Sequence, residues 1–195
     1  MRRCVLVVIF LAALPGVSDE IAWAQASAPK LEICGGVTKL WGHTNGSKFD
    51  DGGGEVSGTF YFNRLVGLEG EFVEFNYSPP DAPAYGSDFS LLFGPHIAYH
   101  RNRWVSPFAH ALVGFTSGDA NGPNYTTIDR SAFTFGVGGG VDLKVWRLLW
   151  LRPIQADYLR EPFPGGPDVG FPPALENNLR LSAGFVVRFG SFGRR

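Results

Sequence analysis

The strongest constraint on this chain is an alternation of period two that recurs in long segments. In Gly54–Asn63, Val56, Phe60 and Phe62 alternate with Glu55, Ser57, Thr59 and Tyr61. In Asp88–His100, Phe89, Leu91, Phe93, Ile97 and Tyr99 oppose Asp88, Ser90, Gly94, His96 and His100. In Ala132–Lys144, Phe133, Phe135, Val137, Val141 and Leu143 oppose Thr134, Gly136, Gly138, Gly140, Asp142 and Lys144. In Arg180–Phe189, Leu181, Ala183, Phe185, Val187 and Phe189 oppose Arg180, Ser182, Gly184 and Arg188. Successive side chains of a strand point to opposite faces, so each segment has one apolar and one polar face. Eight strands are expected: Leu31–His43, Gly54–Asn63, Leu65–Tyr77, Ser87–His100, Trp104–Ser117, Ser131–Lys144, Leu148–Leu159 and Asn178–Phe189. They run ten to fourteen residues, whereas strands of soluble proteins cluster near five or six. A tilted strand crosses a bilayer in about nine to eleven.

The character of the polar face decides which side points outward. It is mostly Gly, Ser and Thr with scattered ionisable residues of both signs, and charged residues make up only 18% of the chain. A water-facing exterior carries many Lys and Glu instead. Small residues suit the narrow interior of an eight-stranded barrel. The apolar face is therefore expected to meet lipid, and the fold to be an all-β, eight-stranded antiparallel up-and-down transmembrane β-barrel. A soluble lipocalin-like carrier would reverse the two faces. Two strands break the pattern. Arg152 shares a parity with Ile154, Ala156 and Tyr158, and Glu74 with Val66, Leu68 and Phe72. Each charge calls for a bulge or for snorkelling near an interface. Aromatics at strand ends are expected to form two interfacial girdles. Phe62, Tyr99, Trp104, Trp146, Trp150 and Phe189 lie near the short turns, and Trp41, Phe75, Tyr77, Phe115, Phe133 and Tyr158 near the long loops.

The connections sort by length. Asn63-Arg64, Arg101-Asn102-Arg103 and Val145-Trp146-Arg147 are short, whereas Asn45–Gly53, Ser78–Gly86, Gly118–Arg130 and Arg160–Asn177 are long and rich in Gly, Pro, Asn and Asp. Short periplasmic turns and long external loops are the pattern of outer-membrane barrels. At the N-terminus, Arg2 and Arg3 precede the apolar run Cys4–Val17, and Ala22-Trp23-Ala24 and Ala24-Gln25-Ala26 are small-residue cleavage sites. Residues 1–26 thus read as a cleaved signal peptide, and residues 31–190 as one barrel domain. Cys34 is then the single remaining cysteine, expected as a small buried residue on the first strand. The net charge of −1 offers no surface for nucleic acid.

Ser182-Ala183-Gly184-Phe185-Val186-Val187-Arg188-Phe189 resembles the C-terminal assembly signal of outer-membrane proteins, carried here by Ser182, Gly184, Val187 and Phe189, although Gly190–Arg195 follow. The chain as a whole resembles the small eight-stranded outer-membrane β-barrel family, similar to the transmembrane domain of outer membrane protein A. The resemblance covers nearly all of residues 31–190. It implies the fold, the bacterial outer membrane, and lipid and the barrel-assembly machinery as partners, but it fixes no activity.

The ionisable residues expected inside are Glu55, Glu69, Glu71, His96, His110, Asp142, Lys144, Asp157, Arg180 and Arg188. Charges at membrane depth must pair or reach water, so they are expected to form a polar network. No catalytic, cofactor or metal set is expected. No cysteine or carboxylate joins the histidines at a metal-binding spacing, no G-x-S-x-G elbow is present, and the histidines lack the His-x-Ser pair of lipid A deacylases. The expected function is a non-enzymatic outer-membrane barrel with a filled interior, serving envelope structure or contacts with an extracellular ligand through its long loops. The alternatives are a narrow porin-like channel for small solutes, a lipid-modifying enzyme, or the lipocalin-like carrier.

Overall fold

A computed structural model describes residues 28–44, 47–77, 85–122, 125–163 and 174–192. The signal peptide expected at 1–26 lies outside these described residues. The strands are β1 (Leu31–Thr44), β2 (Ser47–Tyr61), β3 (Val66–Tyr77), β4 (Tyr85–Ala98), β5 (Val105–Gly122), β6 (Tyr125–Lys144), β7 (Leu149–Phe163) and β8 (Ala174–Phe189). Each pairs antiparallel with its sequence neighbours, and β1 pairs with β8 to close the barrel. At the seam Leu31 faces Phe189 and Trp41 faces Leu179. Closure leaves no open edge, which is the condition for strands to lie in lipid.

The short-turn ends fall close to where the alternation stops. Asparagine side chains make two of these turns. Asn63 Oδ1 accepts from the Leu65 and Val66 amides at 2.8 and 2.9 Å, and Asn102 Oδ1 from the Trp104 amide at 2.8 Å. Such side-chain bonds substitute for a backbone turn. The other ends differ from expectation. Ser47–Gly53 continues β2, Gly118–Gly122 with Tyr125–Arg130 continues the β5–β6 hairpin, and Arg160–Phe163 with Ala174–Asn177 continues the β7–β8 pair, so these stretches are strand rather than loop. Their Gly, Asp and Asn read locally as turn, yet ladder bonds are made by backbone groups that every such residue carries, and context overrides β propensity.

The faces are as the alternation requires. Phe60, Leu68, Phe93, Ile97, Val113, Phe133, Phe135, Val137 and Phe185 are exposed on the outer wall. A contiguous apolar wall of this kind does not face water in a monomer, and it removes the lipocalin-like alternative. The two misfits resolve differently. The β7–β8 register shifts between Arg152 and Gln155, and the β6–β7 register between Val141 and Leu143. This bulge sets exposed Pro153 and Ile154 side by side and turns both Arg152 and Gln155 inward. A proline, lacking a ladder donor, is tolerated at such a site. Around Glu74 the registers run unbroken, so it stands on the outer wall opposite Gly54 and Phe89, near the outer rim, where a carboxylate can snorkel. Two residues expected in the girdles turn inward instead: Trp150 and Phe75 are buried. Phe62, Tyr99, Trp104, Trp146, Trp41, Phe115, Phe133 and Tyr158 are exposed.

The inward glycines of β6 make room for what the interior holds. A Cβ at Gly138 would sit 1.9 Å from Asp157 Oδ1 and 2.5 Å from the Ala156 carbonyl oxygen, and one at Gly140 2.9 Å from the Phe108 ring. Gly138→Ala is therefore expected to destabilise the barrel by about 1–3 kcal/mol through overpacking. The urea midpoint of the heat-modifiable folded band measures this. An unchanged midpoint contradicts the close approach.

Candidate functional site

The candidate site is the barrel interior, where ordered layers follow one another along the strands. On β5 the inward residues run Ser106, Phe108, His110, Leu112, Thr116, and on β7 Trp150, Arg152, Gln155, Asp157, Leu159, Glu161. Both sequences pass from charge to an apolar side chain to a second polar group.

At the short-turn end, Asp142 is held between two arginines. Arg152 Nε donates to its Oδ1 at 2.8 Å, and Arg188 Nη2 to its Oδ2 at 2.9 Å. Arg188 Nε also lies 2.6 Å from Glu32 Oε1, an ion pair whose angle falls short of a hydrogen bond. The guanidiniums lie over aromatic rings, Arg188 at 3.8 Å from Trp150 and Arg152 at 4.0 Å from Phe108. Stacking of this kind suits a weakly hydrated, planar cation in a dry site. Tyr61 closes the set by donating to Glu32 Oε2 at 3.0 Å.

Arg152 Nη1 donates to Gln155 Oε1 at 2.9 Å, and Gln155 Nε2 to Asp157 Oδ2 at 2.8 Å. Asp157 is the hub of the middle layer. Arg180 Nη2 reaches its Oδ2 at 2.6 Å while also gripping Glu71 with two bonds of 2.6 and 2.9 Å. His110 Nε2 lies 2.8 Å from Asp157 Oδ1, and its Nδ1 2.8 Å from Glu69 Oε2. His96 Nδ1 meets the same Glu69 oxygen at 2.7 Å. With a carboxylate oxygen on each ring nitrogen, His110 must carry a hydrogen on both for both contacts to be hydrogen bonds. One connected chain thus draws on all eight strands, β2 joining it through Tyr61, and Glu55, also of β2, accepts from Ser182 at 2.7 Å.

Above this layer, Leu40, Val73, Phe75, Leu92, Leu112 and Leu159 form one buried apolar cluster. Beyond it Thr116 donates to Glu161 Oε1 at 2.9 Å, Asn178 donates to Glu161 Oε2 at 2.6 Å, and Ser90 and Thr134 lie within 2.8 Å of Thr116. At the opposite mouth, Gly190 adopts φ 64°, a left-handed conformation that favours glycine. The turn lets the Phe192 amide donate to the Ala28 carbonyl at 3.0 Å, and Phe192 packs on Tyr61, Ala98 and Phe108.

Nine of the ten residues expected inside, Glu55, Glu69, Glu71, His96, His110, Asp142, Asp157, Arg180 and Arg188, are buried and bonded here. Lys144 is half-buried and makes no ion pair among the described residues. Sequence reasoning missed Glu32, Arg152, Gln155 and Glu161. Glu32 shares its parity with Cys34, Thr38 and Leu40, a signal that was available. Arg152 and Gln155 were hidden by the bulge. Cys34 is free and buried against Trp150 and Val186.

A serine–histidine contact also went unseen: Ser106 Oγ lies 2.9 Å from His100 Nδ1. His100 sits in the turn after β4, where burial first and then the Arg188 guanidinium hold its imidazole down at about 3, so it stays neutral. Ser106 is fully buried, and His100 Nε2 has no bonding partner. A nucleophile needs access and an oriented base, and this pair has neither.

A closed barrel with an apolar wall and a charged, plugged interior is an integral outer-membrane protein. The chain belongs to the outer membrane protein beta-barrel domain family, whose model matches residues 9–189, and its place is the bacterial outer membrane. Among solved structures it is similar to Neisserial surface protein A, at 13% identity and a TM-score of 0.63, covering 82% of this chain and 97% of that one. It is similar to Ail of Yersinia pestis, solved with the heparin analogue sucrose octasulfate, at 16% identity and a TM-score of 0.55, covering 82% and 99%. OprG of Pseudomonas aeruginosa matches at 11% identity and a TM-score of 0.50, covering 85% and 98%. At these identities the likeness is one of fold. Comparison with curated protein sequences gives no match.

Removing one partner of a buried ion pair leaves an uncompensated charge. Arg180→Met should therefore cost about 3–5 kcal/mol, read as a lower urea midpoint in lipid vesicles. The double variant Glu71→Gln with Arg180→Met should recover part of it. Equal midpoints for wild type and Arg180→Met contradict the hub.

Proposed function

We propose that the protein is a non-enzymatic outer-membrane barrel whose interior is a permanent plug and whose work is done at its rims. The filled interior carries this reading. A small solute would have to displace both the apolar cluster around Leu112 and Leu159 and the paired charges beneath it. Mixed-sign charge locked into pairs stabilises a fixed arrangement, whereas a conducting path needs mobile, weakly held sites. The buried Ser106 and the absence of an oriented base beside it speak against hydrolytic chemistry.

The wall's partner is lipid. At the short-turn rim Arg64, Arg101, Arg103 and Arg147 are exposed beside exposed Phe62, Tyr99, Trp104 and Trp146. Cations and aromatic rings at that depth suit phosphate headgroups and the interface. The segment Ser182–Phe189 lies on the closing seam with β1, the place where an assembly signal read by the barrel-assembly machinery would act. At the other rim, β5 and β6 run 18 and 20 residues, well beyond the nine to eleven or so that cross the bilayer. Their hairpin projects outward as a surface for an extracellular ligand. Residues 45–53, 78–86, 118–130 and 160–177 hold eight acidic and three basic side chains, and with the buried Asp51 and Glu161 set aside six acidic against three basic. That balance favours a cationic or neutral ligand over a polyanion such as the heparin analogue held by Ail.

Reconstitution of purified protein into planar bilayers tests the plug. A membrane without stepwise conductance is expected, and persistent openings contradict it.

A further inference from the structure

Sequence spacing joins no carboxylate to the histidines, but the fold does. Glu69 of β3, His96 of β4 and His110 of β5 come from three adjacent strands, and His96 stands directly opposite His110. Both Nδ1 atoms converge on Glu69 Oε2. One donor atom from each residue lies within 4.8 Å of the others.

Three further observations point to a ligand. Glu69 is 1% exposed, and its second oxygen, Oε1, is buried with no hydrogen-bond partner. Leaving a carboxylate oxygen so placed is costly. The remote nitrogen of His110 is 2.8 Å from Asp157, and metal-binding histidines are oriented by a carboxylate on that other nitrogen. Finally, the charges of this layer do not balance. Arg152 and Arg188 are matched by Asp142 and Glu32, which leaves the four carboxyls of Glu55, Glu69, Glu71 and Asp157 facing only Arg180 and, without a metal, a doubly protonated His110.

We propose that Glu69, His96 and His110 form a site for a first-row divalent transition metal, of the two-histidine, one-carboxylate kind that binds zinc, fastening β3, β4 and β5 together inside the barrel. Two imidazole nitrogens and one carboxylate oxygen are a zinc donor set that leaves a fourth position open. Zinc bonds of about 2.0–2.2 Å place tetrahedral donors roughly 3.3–3.5 Å apart. The ion therefore replaces the shared hydrogens if the two rings withdraw by about half an ångström from the present 2.7 and 2.8 Å contacts. His110 then binds as the neutral ring, keeping its Nε2 hydrogen for Asp157. Magnesium, which prefers oxygen donors and holds its waters, does not fit.

The test uses untagged full-length protein, unfolded, stripped with chelator, and refolded in detergent with Zn²⁺, with Mg²⁺, or with neither. After desalting, about one zinc per chain and no magnesium are expected. The zinc-refolded barrel should lose its heat-modifiable band at a higher temperature than the metal-free one. Glu69→Gln and His96→Ala should each abolish zinc retention, while His100→Ala, a neighbouring histidine outside the site, retains it. Because either site variant can fail to fold, wild type is also refolded with Co²⁺. Intense visible d–d absorption of a tetrahedral site is expected. A spectrum identical to aqueous Co²⁺, zinc-free wild type after desalting, or wild-type zinc content in a folded Glu69→Gln protein would each overturn the proposal.

Discussion

Everything in this molecule follows from one constraint: in hydrocarbon there is no water to bond a backbone amide or carbonyl. A strand meets that condition only when both of its edges are paired, so β8 must return to β1. Closure at eight strands then fixes the bore. It is wide enough for side chains and little else, and the period-two geometry sends half of all side chains into it. Glycines at 136, 138 and 140 relieve the crowding on one strand, so that Leu159, Asp157 and Phe108 from other strands fill the space.

A bore this narrow, at membrane depth, forces charges to find one another. All eight strands contribute to a single chain of ion pairs and hydrogen bonds, with Asp142 and Asp157 among its shared acceptors. Burying ions is costly even when they pair, so the network is weak evidence for net stability. Its physical consequence is specificity. A one-residue slip of any strand would turn its charges out to lipid and its phenylalanines inward. The apolar cluster around Leu112 separates this network from the Thr116–Glu161–Asn178 set, and Phe192 closes the far mouth. Under the proposed function the interior serves structure, and partners are sought at the rims.

The strands at membrane level and the side each face presents were legible because alternation is a backbone property that any register error would destroy. Val56, Phe93, Phe133 and Phe185 on one side, with Glu55, His96, Thr134 and Arg180 on the other, declare it locally. What stayed hidden depends on contacts between strands. The bulge at Pro153 and Ile154 has no period of its own, so Arg152 read as a charge among apolar positions. Phe75 shares its parity with Glu69 and Glu71, a mark of the inner face that was available, whereas Trp150 stands beside the bulge, where parity misleads. Trp150 is drawn inward by the Arg188 guanidinium and Phe75 by the apolar cluster. The outward extension of β2 and of the β5–β6 and β7–β8 pairs was hidden because glycine, proline and aspartate in paired strands look the same as in a loop. Within the candidate site, the residue types were visible, but the meeting of Glu69 with two histidines from neighbouring strands was not.

Every other assignment in this barrel depends on which face meets lipid. Methyl-selective NMR of the protein in lipid nanodiscs reads this without a substitution, through contacts between side-chain methyl groups and lipid acyl chains. Val56, Leu68, Val113 and Val137 on the outer wall should show strong contacts. Val73, Leu92, Leu112, Leu159 and Val186, one residue parity away, should show none. Acyl-chain contacts from the second set, or their absence from the first, would contradict the barrel as described.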